Sequence, residues 1–480
     1  MSKNQYGGDA IASGGFGCVF RPALKCRTGS VPHDATLNAD TEYVSKLLYT
    51  QDAKDEMAES NSFGKTLQLI KDYEKYFIFP IKRCKPKPLT KDDHREFDSV
   101  CSKLVSNGYS SLNINKYLDD FRILMIPNGG IDLNMFCEKN SKISYDLFKN
   151  INTSLIDLLE NGIVKMNKLH LYHLDLKAHN VMLDIDNTRD NVYTKIIDWG
   201  LSQKIKSSKN VYNQLKGRPL QFNLPPSIIL LSNSFLDFIH DLYDDYDTVT
   251  LTRDIVIDHV MKHLSNKYFK SFGNGHRDYI NYMSRIIFDK TTHQNYHIKD
   301  YFIASYISDI ILEYRKPSNS FDKSRFSKTL LSNCDIWGFL ITYLPFMKVD
   351  NMDNQDSIKH DIRELFINYM VKYSSKTIPI NDVIMHLHGI NQKLKLSNKT
   401  SHILVSKTPK RFSNIVSTET IIKKHSAKTK KNKMLSNTVS ESPGLMKKIA
   451  LLVNNVKKTK RRRCPNGTRY NRLTRKCETK

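Results

Sequence analysis

The spacing of apolar residues changes along this chain, and it predicts strands in the first part and helices in the second. Residues 6–20 are predicted to form two short strands around a glycine turn, and further strands are predicted at residues 43–48, 76–81 and 121–126. Apolar residues at helical spacing predict one helix among these strands, over residues 53–71. The first part of the chain is therefore predicted to be rich in sheet.

The pattern becomes helical after residues 127–130, where Pro, Asn and two Gly interrupt the chain. Helices are predicted over residues 146–168, 234–243, 300–314, 335–346 and 356–394. Strands first and helices afterwards predict an α+β fold, with a small β-rich lobe at residues 1–126 and a larger α-helical lobe at residues 127–394.

The net charge of +25 is concentrated near the C-terminus. Residues 395–480 hold 24 Lys and Arg against three Glu, a net charge of +21, which leaves +4 for the rest of the chain. Many Lys, Ser, Thr and Asn and few aromatic residues predict that this tail is mostly disordered. Its basic run at residues 457–463 has two interpretations. The run could bind nucleic acid nonspecifically or act as a nuclear signal, or it could belong to a solvated tail that aids solubility.

Two further features of the sequence predict a cytoplasmic protein without a membrane partner. No run of about 18 apolar residues occurs, and the N-terminal residues lack the apolar core of a signal peptide. The cysteines of residues 1–394 show no CxxC spacing, which predicts reduced thiols and no zinc module. These cysteines are Cys18, Cys26, Cys84, Cys101, Cys137 and Cys334.

Two motifs carry more chemistry than any other part of the chain: HLDLKAHN at residues 173–180 and DWG at residues 198–200. Phosphoryl transfer needs one carboxylate to accept a hydroxyl proton. It also needs an amide oxygen that holds a metal ion and a second carboxylate that holds metal against the phosphates of ATP. Asp175, Asn180 and Asp198 supply these three groups. The spacing therefore predicts a phosphoryl-transfer site.

The order of these motifs resembles that of the eukaryotic Ser/Thr protein kinases, over residues 6–225 and again over residues 335–390. The resemblance implies a bilobal protein-kinase-like fold with a small β-rich lobe and a large α-helical lobe. It also implies an activity, which is transfer of the γ-phosphoryl of ATP, with Mg²⁺ or Mn²⁺, to Ser and Thr residues of protein substrates.

The resemblance assigns a role to each reactive residue of the two motifs. It implies that Asp175 is the catalytic base and that Lys177 contacts the transferring phosphate, as in Ser/Thr-directed members of the family. It implies that Asn180 and Asp198 hold Mg²⁺ through oxygen atoms, which suits a hard cation. His173 is interpreted as a packed structural histidine.

The segment Ile11–Val19 resembles the glycine-rich loop that lies over ATP, although Ala12 stands in place of its first glycine. Lys46, in a predicted strand, matches the lysine that holds the α- and β-phosphates, and Asp132 is the residue predicted to reach the ribose. The nucleotide-binding residues that the resemblance implies are Ala12, Ser13, Gly14, Gly15, Phe16, Gly17, Val19, Lys46, Glu59 and Asp132.

The glutamate that pairs with Lys46 has two candidates on the predicted helix, Glu56 and Glu59. Glu59 is predicted because Phe63 lies one turn after it, where the family packs an apolar side chain against the interface between the lobes. Glu56 would place Ser60 at that point instead.

Departures from the family pattern concern regulation and architecture. Leu174 stands where many regulated kinases carry an Arg that pairs with a phosphorylated loop, which predicts activity without loop phosphorylation. Trp199 replaces the usual Phe, and Ser227 replaces the Glu that closes the following segment. A helical insertion at residues 228–334 precedes Asp335, which the resemblance places on a buried helix that supports the catalytic loop.

Two alternatives to an active kinase stay open. Ala12, the altered end of the loop segment and the long insertion also fit a catalytically weak scaffold of kinase fold. The basic tail fits a protein that associates with nucleic acid.

The stretch CPNGTR at residues 464–469 is followed by one further cysteine, Cys477. A single pair of cysteines without a His partner does not fit a zinc finger. The stretch resembles a short terminus found on many proteins of giant DNA viruses. Together with the large insertion, it implies a mimivirus-like Ser/Thr kinase that acts in host cytoplasm or in a virion.

Overall fold

The computed structural model describes most of the chain up to residue 405. The described residues are 8–13, 17–27, 43–140, 142–186, 191–288, 298–405, 468–471 and 476–479. Several predicted features lie outside them, namely Gly14, Gly15 and Phe16 of the glycine turn, the basic run at residues 457–463, and Cys464.

The fold is α+β, and its first part is an antiparallel sheet. The strands of this sheet are β1 (Asp9–Ser13), β2 (Gly17–Arg21), β3 (Tyr43–Tyr49), β4 (Lys82–Cys84) and β5 (Phe121–Pro127). Among the described residues they pair in the order β1-β2-β3-β5-β4. The predicted strands at residues 43–48 and 121–126 are confirmed.

The strand predicted at residues 76–81 is wrong, because the backbone of this stretch bonds to two different neighbours. Tyr73–Lys75 forms a 3₁₀ turn. The N–H of Ile78 then donates to Ile196 O at 3.0 Å, whereas the N–H of Ile81 donates to Met125 O at 2.8 Å. A continuous ladder along one partner strand does not form.

The alternation of side chains along the sheet separates two faces. One face packs Cys18, Phe20, Leu47, Ile123 and Met125 into a core of its own. The other face carries Val19, Lys46 and Leu124, which are direct register partners across β2, β3 and β5. Helix α1 (Thr50–Leu67) follows β3 and contacts both β3 and β5. The helix predicted at residues 53–71 is therefore confirmed, with its boundaries shifted toward the N-terminus.

The second part of the chain is mostly helical. Its helices, with the two short ones that precede β5, are α2 (Phe97–Val100), α3 (Ser102–Ser106), α4 (Leu133–Lys139), α5 (Tyr145–Asp157), α6 (Val164–Lys168), α7 (Ser208–Leu215), α8 (Asn233–Asp245), α9 (Arg253–His263), α10 (Phe269–Phe272), α11 (Arg277–Phe288), α12 (Ile298–Glu313), α13 (Lys323–Ile341), α14 (Gln355–Leu365) and α15 (Ile380–Val405). No helix in the described part of the chain is both long enough and apolar enough to cross a membrane.

Short side chains explain where several of these helices begin. Ser144, Ser232 and Thr252 accept hydrogen bonds from backbone N–H groups in the first turns of α5, α8 and α9. Asp132 does the same for α4. These side chains satisfy N–H groups that have no partner within the helix.

Short strands carry the region where the two motifs lie. They are β6 (Ile131–Asp132), β7 (Leu171–Tyr172), β8 (Val181–Asp186), β9 (Asn191–Ile196) and β10 (Gln203–Lys204). β8 pairs with β6 and β9, and β7 pairs with β10. The first motif therefore lies between β7 and β8, and the second between β9 and β10.

The insertion at residues 228–334 is helical, as predicted, and shares one apolar core with the rest of the helical part. α12 packs on α9 and α11 and on the 3₁₀ turn Pro226–Leu231. The helix predicted to begin at residue 335 begins at Lys323 instead, because Asp322 caps it through the N–H of Arg325. The end of the insertion therefore runs directly into the helix that bears Asp335.

The prediction that the cysteines of the body are all reduced is wrong. Disulfides join Cys18 to Cys101 and Cys26 to Cys84, and both lie in the sheet part. Cys137 and Cys334 are buried free thiols. Local spacing could not reveal these pairs, because their partners are 83 and 58 residues apart in sequence.

The chain divides into two compact units, Met1–Leu404 and Val405–Lys480. Helix α15 continues past residue 394, where the tail was predicted to begin, as far as Val405. Within the second unit, β11 (Thr468–Asn471) pairs antiparallel with β12 (Lys476–Thr479). The described residues of the second unit thus include these two strands, while most of the tail that was predicted to be disordered lies outside the described residues.

Candidate functional site

Asp175 lies at the centre of a network of side-chain donors. Lys177 Nζ donates to Asp175 Oδ2 at 2.8 Å, and Asn180 Nδ2 donates to the same oxygen at 3.0 Å. Asn223 Nδ2 donates to Asp175 Oδ1 at 2.9 Å. Asp175 is only 5% exposed, yet both of its carboxylate oxygens have polar partners. The carboxylate is therefore held in one orientation.

A buried carboxylate supports the backbone just before Asp175. Asp335, on α13, accepts hydrogen bonds from the N–H of His173 at 2.9 Å and the N–H of Leu174 at 2.8 Å. Leu174 has a φ of +60°, which is unfavourable for a branched side chain, so its conformation depends on these contacts. Burial raises the pKa of Asp335, while His173 and the two backbone bonds oppose that shift. The predicted support of the loop by Asp335 is confirmed.

A glycine lets α13 approach the first motif closely. A Cβ atom at Gly338 would lie 2.7 Å from Leu176 O and 3.2 Å from Asn223 O. No side chain fits in that space. Trp337 Nε1 also donates to Phe222 O at 2.9 Å. α13 therefore positions both segments that meet at Asp175.

Asn180 and Asp198 lie at the same end of the β8–β9 hairpin. Val181, which follows Asn180, and Ile196, two residues before Asp198, are register partners, and the N–H of Ile197 donates to Asn180 O at 3.0 Å. Asn180 is buried and its Nδ2 donates to Asp175, so Oδ1 is the atom of this side chain that could hold a metal ion. Asp198 is exposed, with a φ of +66°.

These two side chains fit a magnesium ion that is also held by phosphate. The residues that the structure describes contain no group of three or more His, Cys, Asp or Glu that could hold a metal ion alone. Mg²⁺ is usually held by one or two carboxylates together with substrate phosphates, rather than by an all-protein cage. A carboxylate at Asp198 and an amide oxygen at Asn180 match that donor set.

Lys46 pairs with Glu56, and the prediction of Glu59 is wrong. Lys46 Nζ lies 2.9 Å from Glu56 Oε1 and 2.8 Å from Glu56 Oε2. Ala53 and Ser60 are buried residues of α1. Glu56 lies three residues after Ala53 and four before Ser60, so it is on the same face of the helix. Glu59 is exposed. Partial desolvation of its carboxylate, followed by the negative charges of Asp55 and Glu56, raises its pKa.

Trp199 connects α1 to the second motif. Its ring lies 6.2 Å from that of Phe63 on α1 and stacks on Phe79 at 4.5 Å. Its Nε1 donates to Ile78 O at 2.9 Å. Phe63 thus packs against the second motif, and the glutamate one turn before it is not the one that binds Lys46.

The described residues of the glycine-rich segment lie on β1 and β2. Ala12 pairs with Val19, and Val19 pairs with Lys46 on the neighbouring strand. Ser13 Oγ lies 3.4 Å from Ser102 Oγ, and Gly17 is buried against β3. The sheet therefore brings Ala12 and Val19 into one row with the predicted phosphate-binding lysine.

Asp132 has a structural contact of its own. Its Oδ1 accepts a hydrogen bond from the N–H of Met135 at 2.9 Å and so caps α4. Its charge raises the pKa of His179, although burial of that histidine has the larger effect and lowers the pKa. Asp132 therefore lies near the first motif, with one carboxylate oxygen engaged by the helix.

His173 has the contacts of a packed structural residue. It is fully buried, its Nε2 lies 3.0 Å from Ile197 O, and its Nδ1 accepts from the N–H of Asp175 at 3.3 Å. The ring meets Trp199 edge-on at 5.1 Å. Both ring nitrogens are engaged by backbone groups, which connects the two motifs.

Arg218 is a functional candidate that sequence reasoning missed. Its Nη1 lies 3.3 Å from Leu174 O, and its Nη2 lies 2.9 Å from Leu201 O. Burial lowers the pKa of Arg218, while the charge of Asp175 raises it. Its Nη1 also donates to Gln221 Oε1 at 3.1 Å. The local sequence does not mark this arginine as part of the site, because the two backbone oxygens that it contacts are 44 and 17 residues away.

Asn223 lies four residues before Ser227, in the segment that follows the DWG motif. Its contact with Asp175 depends on tertiary structure, and no spacing rule predicts it. The structure brings together Asp175, Lys177, Asn180 and Asn223 in direct contact, with Asp198 beside Asn180. No protein-family model matches this chain.

Proposed function

We propose that this chain is an ATP-dependent Ser/Thr protein kinase with a bilobal protein-kinase fold. The observation that carries the proposal is the arrangement around Asp175, in which Lys177, Asn180 and Asn223 donate to both carboxylate oxygens. A carboxylate oriented by three donors presents fixed lone pairs, which is what a base that accepts a hydroxyl proton requires.

The proposed reaction transfers one phosphoryl group. Asp175 accepts the proton of a Ser or Thr hydroxyl as that oxygen forms a bond to the γ-phosphorus of ATP. The bond between the γ-phosphorus and the β–γ bridging oxygen breaks, and ADP leaves with the electron pair. Lys177, whose Nζ lies 2.8 Å from Asp175 Oδ2, contacts the transferring group and offsets its negative charge.

The remaining residues bind the nucleotide. Lys46, held by Glu56, donates to the α- and β-phosphates. Asn180 Oδ1 and the Asp198 carboxylate are the proposed magnesium ligands. When bound, Mg²⁺ supplies positive charge that neutralises the phosphates as the bond breaks. Mn²⁺ accepts the same oxygen ligands.

Phosphate transfer from labelled ATP to a generic basic protein tests the proposal. The full chain is assayed with Mg²⁺ and with Mn²⁺, beside Asp175→Ala and Asp198→Asn variants. Asp184→Asn is the matched control, because Asp184 is an exposed aspartate on β8 in the same hairpin. We expect transfer by the wild type and the control, and a loss of at least about 100-fold in the two variants.

The alternative is a scaffold of kinase fold without useful activity. Absence of transfer by the wild type with either metal ion would establish that alternative. Equal transfer by the wild type and the Asp175→Ala variant would remove Asp175 from the reaction.

We also propose that the basic tail contacts nucleic acid without sequence preference, because it carries a net charge of +21. Deletion of residues 406–480 leaves all of α15 in place and provides the test. The intact chain is expected to bind RNA or DNA with an affinity that falls steeply with salt, and the deleted chain to lose this binding while it retains ATP binding. Salt-independent binding would contradict the proposal.

A further inference from the structure

We propose that the segment Gly273–Tyr279 of the helical insertion forms part of the surface that binds the substrate polypeptide. Tyr279 is the specificity-determining residue of this surface, and it recognises an apolar side chain next to the acceptor hydroxyl. This inference rests on the proposed kinase function and names a purpose for the insertion.

Two successive contacts lead from the proposed base to the insertion. Asn223 donates to Asp175 Oδ1 at 2.9 Å. The preceding residue, Phe222, stacks on Tyr279 with ring centroids 4.6 Å apart and an angle of 17° between the rings. His276 also contacts Phe222, at 5.3 Å. A polypeptide whose hydroxyl reaches Asp175 therefore has its neighbouring residues beside these rings.

The segment is held firmly in this place. The N–H of His276 donates to Leu220 O at 3.2 Å. A Cβ atom at Gly275, where φ is +51°, would lie 2.3 Å from the same oxygen, so the close approach requires glycine. The backbone of the insertion thus rests directly on the segment that bears Phe222.

Arg277 fixes the other side of the segment. Its guanidinium lies 4.1 Å from the ring centroid of Phe269 and makes two hydrogen bonds to Asp300, at 2.8 and 2.9 Å. Both bonds come from Nη2, and this ion pair together with the stacking on Phe269 restrains the segment. Tyr279 is therefore presented from a rigid support, as a binding surface requires.

The electrostatic surroundings of His276 also locate the segment beside the reacting groups. Burial lowers the pKa of His276, the charge of Lys177 lowers it further, and the charge of Asp175 raises it. Within the described part of the chain, His276 Nδ1 is a buried ring nitrogen without a hydrogen-bond partner.

The exposed area here is aromatic, and this indicates the class of side chain that it binds. Tyr279 is 44% exposed, and Phe272, which stacks on Tyr268 at 4.8 Å, is 38% exposed. Aromatic rings gain most from burial against apolar groups. The occupant is therefore an extended polypeptide with an apolar residue adjacent to its Ser or Thr.

A positional-scanning library of Ser peptides tests this inference on the full chain. We expect the wild type to favour an apolar residue at one position flanking the acceptor by roughly tenfold in kcat/KM, as hydrophobic pockets do. Tyr279→Ala should lose this preference without a change in the KM for ATP, and Tyr279→Phe should retain it. Tyr193→Ala is the matched control, because Tyr193 is 38% exposed on β9.

The outcomes separate this inference from the proposed function. If the wild type phosphorylates peptides and Tyr279→Ala shows the same positional profile, the role of Tyr279 is refuted while the kinase function stands. A wild type without any preference at the flanking positions refutes it equally. If the wild type transfers phosphate to no acceptor, both proposals are overturned.

Discussion

Asn223 donates its side-chain amide to Asp175 Oδ1 at 2.9 Å, across 48 residues of sequence. The contact joins the segment that follows the DWG motif to the proposed base. Asn223 is completely buried, and its backbone oxygen lies against Gly338 of α13. The orientation of the base therefore depends on a residue that belongs to neither motif.

Substitution of Asn223 is expected to reduce kcat more than it changes the KM for ATP. Asn223→Asp would place two carboxylates in contact, and like charges in a buried site cannot both stay ionised. We expect a fall in kcat of about 100-fold or more, and a smaller fall for Asn223→Thr, which retains a donor. Equal kcat values for the wild type and Asn223→Asp would show that the contact does not orient the base.

Because Lys46 pairs with Glu56, substitution of Glu56 is expected to impair ATP use more than substitution of Glu59. Glu56→Gln removes the charge that holds Lys46, and we expect the kcat/KM for ATP to fall at least about tenfold, the value of a charge-assisted hydrogen bond. Glu59→Gln is the matched control on the same helix, and its kinetics should equal those of the wild type. A larger effect of Glu59→Gln would restore the original prediction from sequence.

Arg218 connects the backbone of Leu174 to that of Leu201, which would stabilise this segment without the loop phosphorylation that the proposed kinase is predicted not to need. Arg218→Gln is expected to lower kcat about 10- to 100-fold, because hydrogen bonds to a charged donor are each worth about 1.5–3 kcal/mol. Ser207→Ala and Tyr212→Phe should retain activity, measured with phosphatase-treated protein.

Ser202 differs from the other hydroxyls of this segment. It is buried, and its Oγ donates to His173 O at 3.3 Å, so its substitution tests packing rather than phosphorylation. A requirement for phosphate on Ser207 or Tyr212 would contradict the role of Arg218.

The two disulfides predict that stability depends on the redox conditions. Reduction breaks the Cys18–Cys101 and Cys26–Cys84 bonds, whose cysteines are 83 and 58 residues apart in sequence. We expect the free energy of unfolding to fall by about 2–4 kcal/mol for each bond. Urea unfolding with and without reductant measures this difference. In a variant with Ala at Cys18, Cys26, Cys84 and Cys101 the reductant should have no effect, and an unchanged midpoint for the reduced wild type would show that the bonds do not form.

The lowered pKa of the buried His263 predicts that the folded state loses stability in acid. Burial and the charge of Lys267 lower its pKa from 6.5 to about 4. Well above pH 6.5 neither the folded nor the unfolded state binds a proton at this ring. As the pH falls from about 6.5 to about 4, the unfolded state binds a proton that the folded state does not, so the free energy of unfolding falls.

The size of this acid effect is expected to be about 1–2 kcal/mol, measured by urea unfolding at pH 7 and pH 5. His263→Phe keeps an aromatic ring beside Phe235 and Phe238 and should reduce the pH dependence. His360→Gln, at an exposed histidine of α14, should not. The same slope in His263→Phe as in the wild type would assign the acid effect to other groups.

Local patterns predicted the parts of this protein whose residues are close together in sequence. The strands around Lys46, the helix that follows it and the spacing of Asp175 and Asn180 are all short-range features. Periodicity could not separate Glu56 from Glu59, because residues three apart on a helix lie on nearly the same face. Only the packing of α1 against the sheet decided which of them meets Lys46.

The α+β order of elements and the residue types of the two motifs can be read from local patterns in the chain. Tertiary structure decided the long-range partners, which are Asn223 and Arg218 at the first motif, the pairing of four cysteines, and the place of the insertion beside Phe222. Many residues have the same local propensity, and burial and hydrogen bonding select which of them become contact partners. That selection is made only when distant segments pack together.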